Sequence, residues 1–167
     1  KGIILSGISK WKKVTKEDGK LFTAKANFVF QQVEIDTEIL AFDDVPANFD
    51  LLKLFSIISE GIMIEKKFKD KFVIPYADAP KVLITSNYSL PGTGESYSGR
   101  RIEFALNHYY DSKHRPIDDF GHRLYDDWDE KEWQKFDFYM IHCLHTFLKG
   151  GLYKNKPKER ELDRLAS

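Results

Sequence analysis

The sequence predicts an α/β fold built on a parallel sheet, and three observations carry that expectation. Two short apolar runs, from Glu38 to Phe42 and from Lys81 to Ser86, each stop at polar side chains, the first at Asp43-Asp44 and the second at Asn87. Runs of that length and composition suit strands covered on both faces, as in parallel sheets. Stretches with helical spacing lie between and after them, so strands and helices alternate along the chain.

Each element has its own signal. Ile4, Ile8 and Trp11 stand at helical spacing and predict a short helix over Ile3 to Trp11. Lys16 to Lys20, with Gly19 inside it, predicts a turn. The run ending at Phe42 predicts a buried strand that delivers two carboxylates at its C-terminal edge. After Pro46 a helix is expected from about Asp50 to Glu60, with Leu51, Leu54, Phe55 and Ile58 on one face and Gly61 as its stop. Ile62 to Glu65 and Lys71 to Pro75 alternate about the tip Lys66-Lys67-Phe68-Lys69-Asp70, which predicts a β-hairpin with a basic turn. Lys81 to Ser86 is the second buried strand. Pro91 to Gly99 is a loop leading into Arg100-Arg101 and a further short strand, Ile102 to Leu106. Asp129 and Glu132 resemble a capping box before a long helix, with Trp133, Phe136, Met140, Leu144 and Phe147 as its expected core stripe and Gly150-Gly151 as its end. The charged tail beyond Tyr153 is expected to fray. There are no internal repeats.

Composition narrows the function classes. A chain of 167 residues fits one domain with a sizeable core. Its formal net charge is zero, so no global basic field announces a nucleic-acid partner and local charge must carry that role. The single cysteine, Cys143, excludes an intramolecular disulfide and fits a reducing, cytoplasmic setting. No apolar run is long enough to span a bilayer, and no secretory signal is present. The chain opens at Lys1-Gly2 without methionine and runs straight into Ile3-Ile4-Leu5, as expected of a cut through a larger protein.

The chemistry-bearing residues gather at strand ends. In open α/β sheets ligands bind outside the carboxyl ends of the strands. Two adjacent acids there suit a Mg²⁺-nucleotide site, one carboxylate holding the metal and the other orienting a water. A solvated Asp-Asp at a strand end is the alternative, and Asn87 is equally a common turn residue. Lys66, Lys67 and Lys69 are either a solvated tip or a contact for phosphates. His142, Cys143 and His145 share one helix without a convincing set of further partners, which favours packing and surface roles over a metal site.

Taken together, the ordered set resembles a known family. Ile39 to Val45, Leu54 to Lys67, Pro80 to Tyr88 and Gly99 to Phe104, with Phe120 to Trp128 further on, are similar to the C-terminal motor of phage- and plasmid-type primase-helicases, within superfamily 3 of the AAA+ ATPases. The resemblance runs to about Leu152. It implies a partial P-loop NTPase-like core over 1–152, with a hairpin before the sensor-1 strand, C-terminal helices and a tail over 153–167. Asp43 and Asp44 match the Walker B acids, Asp43 for the metal and Asp44 for the water. Asn87 matches the sensor-1 residue, and Lys66, Lys67 and Lys69 match the hairpin tip that lines a ring's DNA channel. Arg100 or Arg101 would be an arginine finger acting on ATP in a neighbouring subunit, and Lys1 falls at the Walker A lysine. The implied cofactors are ATP and Mg²⁺, and the implied partners are single-stranded DNA and further copies in a hexamer. The sequence departs from the pattern at its start. The Gly-rich phosphate loop is not in this chain, and Gly2 stands where Ser or Thr is usual, so little ATP binding is expected of the chain alone. A non-hydrolysing nucleic-acid-binding domain of the same scaffold and a purely structural oligomerisation domain remain the alternatives.

Overall fold

Three parallel strands organise the first part of the chain: β1 (Val14–Asp18), β2 (Ile39–Val45) and β5 (Lys81–Ser86), side by side in the order β1-β2-β5. The computed structural model describes residues 2–22, 29–106 and 108–152. Lys1 and the tail from 153 onward lie outside the described residues. The chain divides into two compact units, the first running to Arg101 and the second starting at Ile102.

The central strand of the first unit is β2, and its burial shows why its sequence is apolar throughout. Leu40 and Phe42 face one side and Ala41 the other, and all three are closed off from water. Phe42 anchors an aromatic cluster, with the Phe22 ring edge-on at 4.7 Å and Phe49 at 5.9 Å. Each such fully buried large side chain contributes about 1.5–3 kcal/mol. The rest of this core comes from Val33, Val45, Leu51, Leu54, Ile57, Ile62, Ile64 and Ile74.

The edge strand β1 corrects the expected turn at Lys16 to Lys20. Val14 to Asp18 pairs residue by residue with Ile39 to Asp43, and the chain turns only at Gly19 to Leu21. The strand is hard to see because its one buried side chain is polar. Thr15 is satisfied across the interior by the hydroxyl of Thr37 at 3.2 Å, so burial costs no lost hydrogen bond and no apolar signal marks it. Helix α1 (Gly2–Ser9) precedes it, in line with the expected short helix.

The expected helix over Asp50 to Glu60 is split in two. Asp50 caps the Leu52 amide, Leu51–Leu54 forms a 3₁₀ turn, and α2 (Phe55–Ser59) continues from it. The buried residues are Leu51, Leu54 and Ile57, three apart each time, and that spacing lies on one face of the tighter helix. Phe55 and Ile58 pack against the core from its rim. Gly61 ends α2 with φ +111° and opens β3 (Gly61–Ile64). β3 pairs antiparallel with β4 (Phe72–Pro75), so the hairpin forms as expected. The loop over Pro91 to Gly99 contains one turn of helix, α3 (Glu95–Ser98).

The second unit departs from expectation at its start. Ile102 to Leu106 is not a strand. Ile102, Phe104 and Leu106 alternate correctly, yet all three are exposed and no neighbouring strand among the described residues offers a ladder to join. Beyond it, α4 (Pro116–Phe120) is closed by Gly121 in the left-handed conformation. The long helix α5 (Glu130–Gly150) begins at Asp129, whose side chain accepts from the Glu132 amide. Its first two turns pack Trp133 and Phe136 around Tyr125 and Trp128. The rest of the expected core stripe is not core: Met140, Leu144 and Phe147 are exposed, and no described residue of α5 is fully buried. Helical spacing registers a stripe but says nothing about what covers it. Among the described residues, no helix is long and apolar enough to cross a membrane.

Candidate functional site

A cleft of about 320 Å³ opens at the carboxyl ends of β1 and β2, lined by Lys16, Glu17, Asp18, Lys20, Asp43 and Asp44. Consecutive residues of a regular strand point to opposite faces. Both acids of β2 nevertheless line this cleft, because the strand bulges between Phe42 and Val45 and Asp44 turns to φ +53°. A bulge re-aims side chains at a strand end, and Asp tolerates the left-handed region better than most residues.

Neighbouring strands fix the two carboxylates separately. The Thr85 hydroxyl, on β5, donates to Asp43 Oδ1 at 2.5 Å and accepts from the Asp44 amide at 2.9 Å. Asn87 Nδ2 donates to Asp44 Oδ1 at 2.9 Å. Lys20, just past β1, pairs with Asp44 Oδ2 at 2.5 Å, and that hydrogen bond holds the lysine's pKa above its usual value. Burial pushes the Glu17 carboxyl up. Ser86 secures the far side of the bulge, its hydroxyl donating to the Val45 carbonyl at 3.0 Å. Gly19 completes the frame: its amide donates to the Asp43 carbonyl at 2.9 Å. A Cβ at Gly19 would lie 2.4 Å from Val45 Cγ1 and 2.7 Å from the Asp43 carbonyl oxygen.

The residues singled out in the sequence are thus brought together in part. Asp43, Asp44 and Asn87 share one edge. Arg100 and Arg101 both hold contacts within the first unit. Arg101 Nη1 and Nη2 donate to the carbonyls of Leu90 and Gly92 at 3.0 and 3.3 Å. Arg100 is exposed, stacks its guanidinium 5.1 Å from the Phe55 ring centroid, and donates to Ser59 and to the Ser96 carbonyl. Lys66, Lys67 and Lys69 sit at the tip between β3 and β4. Lys1 lies outside the described residues.

Sequence reasoning missed Thr85, Lys20 and Gly19. Thr85 was hidden inside an apolar run. The other two lie in the turn itself, and nothing in one dimension marks the strand before it that carries them to the cleft. A polar residue in an apolar run, two places before the Asn that follows the strand, was the available signal.

Among the described residues, no group of three or more His, Cys, Asp or Glu side chains converges to hold a metal ion by itself. That arrangement still suits Mg²⁺, which commonly takes one or two carboxylates and completes its shell with water and substrate phosphates. Asp43 would be the ligand, since Thr85 is its one side-chain partner among the described residues. A larger depression of about 560 Å³ lies at the opposite end of the sheet, between Lys12, Glu38, Pro75 and Lys81. Its lining is mostly apolar and Lys12 and Glu38 are paired with each other, so the chemistry-bearing groups favour the smaller cleft. Comparison of the chain with known family models, curated proteins and solved structures finds no match.

Proposed function

We propose that this chain carries the hydrolytic edge of an AAA+ ATPase motor of the superfamily 3 helicase kind, acting on DNA as a ring of subunits. One observation supports this above the others: Asn87 reaches Asp44 at 2.9 Å while Thr85 holds Asp43 on the adjacent parallel strand. A hydrolytic phosphoryl site needs a group that holds the metal, a group that orients the water and polar contacts for the transferred phosphoryl, gathered at one place. Bound Mg²⁺ would neutralise charge on the β- and γ-phosphates. Thr85 keeps Asp43 turned toward the cleft. Asp44 orients the attacking water, and for that Lys20 must leave Asp44 Oδ2. Asn87 steadies Asp44 and then the phosphoryl oxygens. Arg100 is the arginine finger of this reading, because it is exposed, whereas Arg101 is half-buried on the loop carbonyls. The hairpin lysines take DNA phosphates.

The experiment is ATP turnover by a chain carrying a Gly-rich phosphate loop ahead of Lys1. Asp44→Asn should cut kcat by roughly 10²-fold or more with nucleotide affinity retained. Asp43→Asn should also weaken Mg²⁺-dependent binding. Equal turnover in wild type and Asp44→Asn would sink the assignment. A second reading, a non-hydrolysing nucleic-acid-binding domain on the same scaffold, draws support from the occupation of both Asp44 oxygens by Asn87 and Lys20. Nucleic-acid binding with no turnover in any variant would favour it.

A further inference from the structure

The hairpin tip carries a residue that charge alone does not explain. Phe68 is 93% exposed, the most exposed large apolar side chain among the described residues. It also sits at φ +61°, a region that bulky side chains rarely enter and that Gly or Asn would occupy more readily. The turn is tight, with the Lys69 amide donating to the Lys66 carbonyl at 3.1 Å, so the ring is presented outward. Lys67 Nζ stands 5.2 Å from the ring centroid. Lys71 pairs with Glu65 at the base of the turn at 3.1 Å, whereas Lys66, Lys67 and Lys69 have no carboxylate within ion-pair distance among the described residues. Below the tip, Met63 and Val73 face each other across the ladder on the exposed side, while Ile62 and Ile74 face the core.

We propose that Phe68 is a stacking platform for an unpaired base, which makes this hairpin a contact for single-stranded nucleic acid rather than for duplex. An exposed aromatic ring bordered by cations matches the chemistry of a single strand, in which base faces and phosphates alternate along the chain. The ring takes a base face and Lys67, held beside it, takes the adjoining phosphate. A duplex buries its base faces in its own stack and leaves the ring without a partner. Phenylalanine has no hydrogen-bonding group, so the contact tolerates any base. This rests on the proposed reading of the hairpin as the nucleic-acid contact, and adds to it the residue that takes a base face where the lysines take phosphates.

The test is binding of this chain to fluorescent oligonucleotides: a mixed-sequence single strand, the same strand with abasic sites, and the duplex. Phe68→Ala should weaken single-strand binding about 5- to 150-fold, the ratio that corresponds to losing one stacked base. It should leave the salt dependence unchanged, because no phosphate contact is lost. Phe68→Trp should restore the affinity, and on the abasic strand wild type and Phe68→Ala should bind alike. Replacing Lys66, Lys67 and Lys69 by Ala should instead flatten the salt dependence. If the lysine variant behaves so but Phe68→Ala binds like wild type, the stacking role is refuted while the nucleic-acid reading stands. If wild type binds none of the oligonucleotides, both fall. Phe68-dependent binding to phosphatidylserine vesicles without oligonucleotide binding would reassign the tip to a membrane surface.

Discussion

Thr85 is the point at which the site and the stability of the sheet meet. Its hydroxyl donates to Asp43 Oδ1 at 2.5 Å and accepts from the Asp44 amide at 2.9 Å, so Thr85→Val removes both partners while keeping nearly the same shape. A hydrogen bond to a charged group is worth about 1.5–3 kcal/mol and a neutral one about 0.5–1.5 kcal/mol. The site is only part-buried and water can replace some of the loss, which places the expected cost at the lower end, about 2 kcal/mol. In a unit of this size that corresponds to a fall in Tm of roughly 8–16 °C. Thr85→Ser keeps the hydroxyl and should lose less than half as much. Thermal melts followed by circular dichroism measure both. Adding Asp43→Asn to Thr85→Val should cost less than the sum of the two single changes, because the bond they share is lost only once. A Thr85→Val melt within 2 °C of wild type, on the same roughly 8–16 °C scale, would refute the reasoning. So would Thr85→Ser melting as low as Thr85→Val.

The two arginines should separate by assay. Arg101→Ala strips the Leu90 and Gly92 carbonyls of their donors and should lower the Tm measurably, whereas Arg100→Ala, which loses only exposed contacts to Ser59, the Ser96 carbonyl and the Phe55 ring, should lower it less and abolish ATP turnover in assembled rings. The reverse pattern would exchange their roles. In the second unit, the hydrogen bond between His114 and Asp119 at 2.8 Å raises the His114 pKa above its ordinary 6.5 and lowers that of Asp119. The histidine's contribution to stability is therefore fully present below pH 6.5 and lost as pH rises through its folded value. The contribution of Asp119 is present above the ordinary carboxylate value and lost as pH falls through its lowered one. An NMR titration of the imidazole should show His114 returning toward 6.5 in Asp119→Asn, and an unaltered titration would disprove the coupling.

How much of this was legible in the sequence depended on whether burial was apolar. β2 was plain because Leu40, Ala41 and Phe42 are the residues a covered strand demands. β5 was plain as a strand, but the expectation that it is buried is corrected, since it lies at the sheet edge and none of its residues is fully buried. The polar ends of both pointed to the edge where Asp43, Asp44 and Asn87 meet. The hairpin was plain because its period of two is bounded by a run of lysines. β1 was illegible because a buried Thr15 paired with Thr37 looks, in one dimension, like part of a polar turn. The bulge at Asp44 could not be foreseen either, since tolerance of positive φ by Asp permits such a kink at many positions and only the pairing of β2 with β5 shows where it falls. Ile102 to Leu106 misled in the opposite sense, for alternation predicts a face but cannot supply the neighbour a strand needs.

Gly19 has a consequence for how kindred chains would be recognised. Its φ is unremarkable, so any residue could adopt its backbone, and only the wall formed by Val45 and the Asp43 carbonyl excludes a side chain. The exclusion belongs to the bulge and not to the turn. Any chain that keeps the bulge must keep a residue without a side chain at this place, however far the rest of β1 drifts. Five scattered positions then travel as one unit: a glycine after the first strand, two adjacent acids, and a threonine two places before an asparagine. A search that weights these together, with free spacing between them, would find descent where overall similarity has faded.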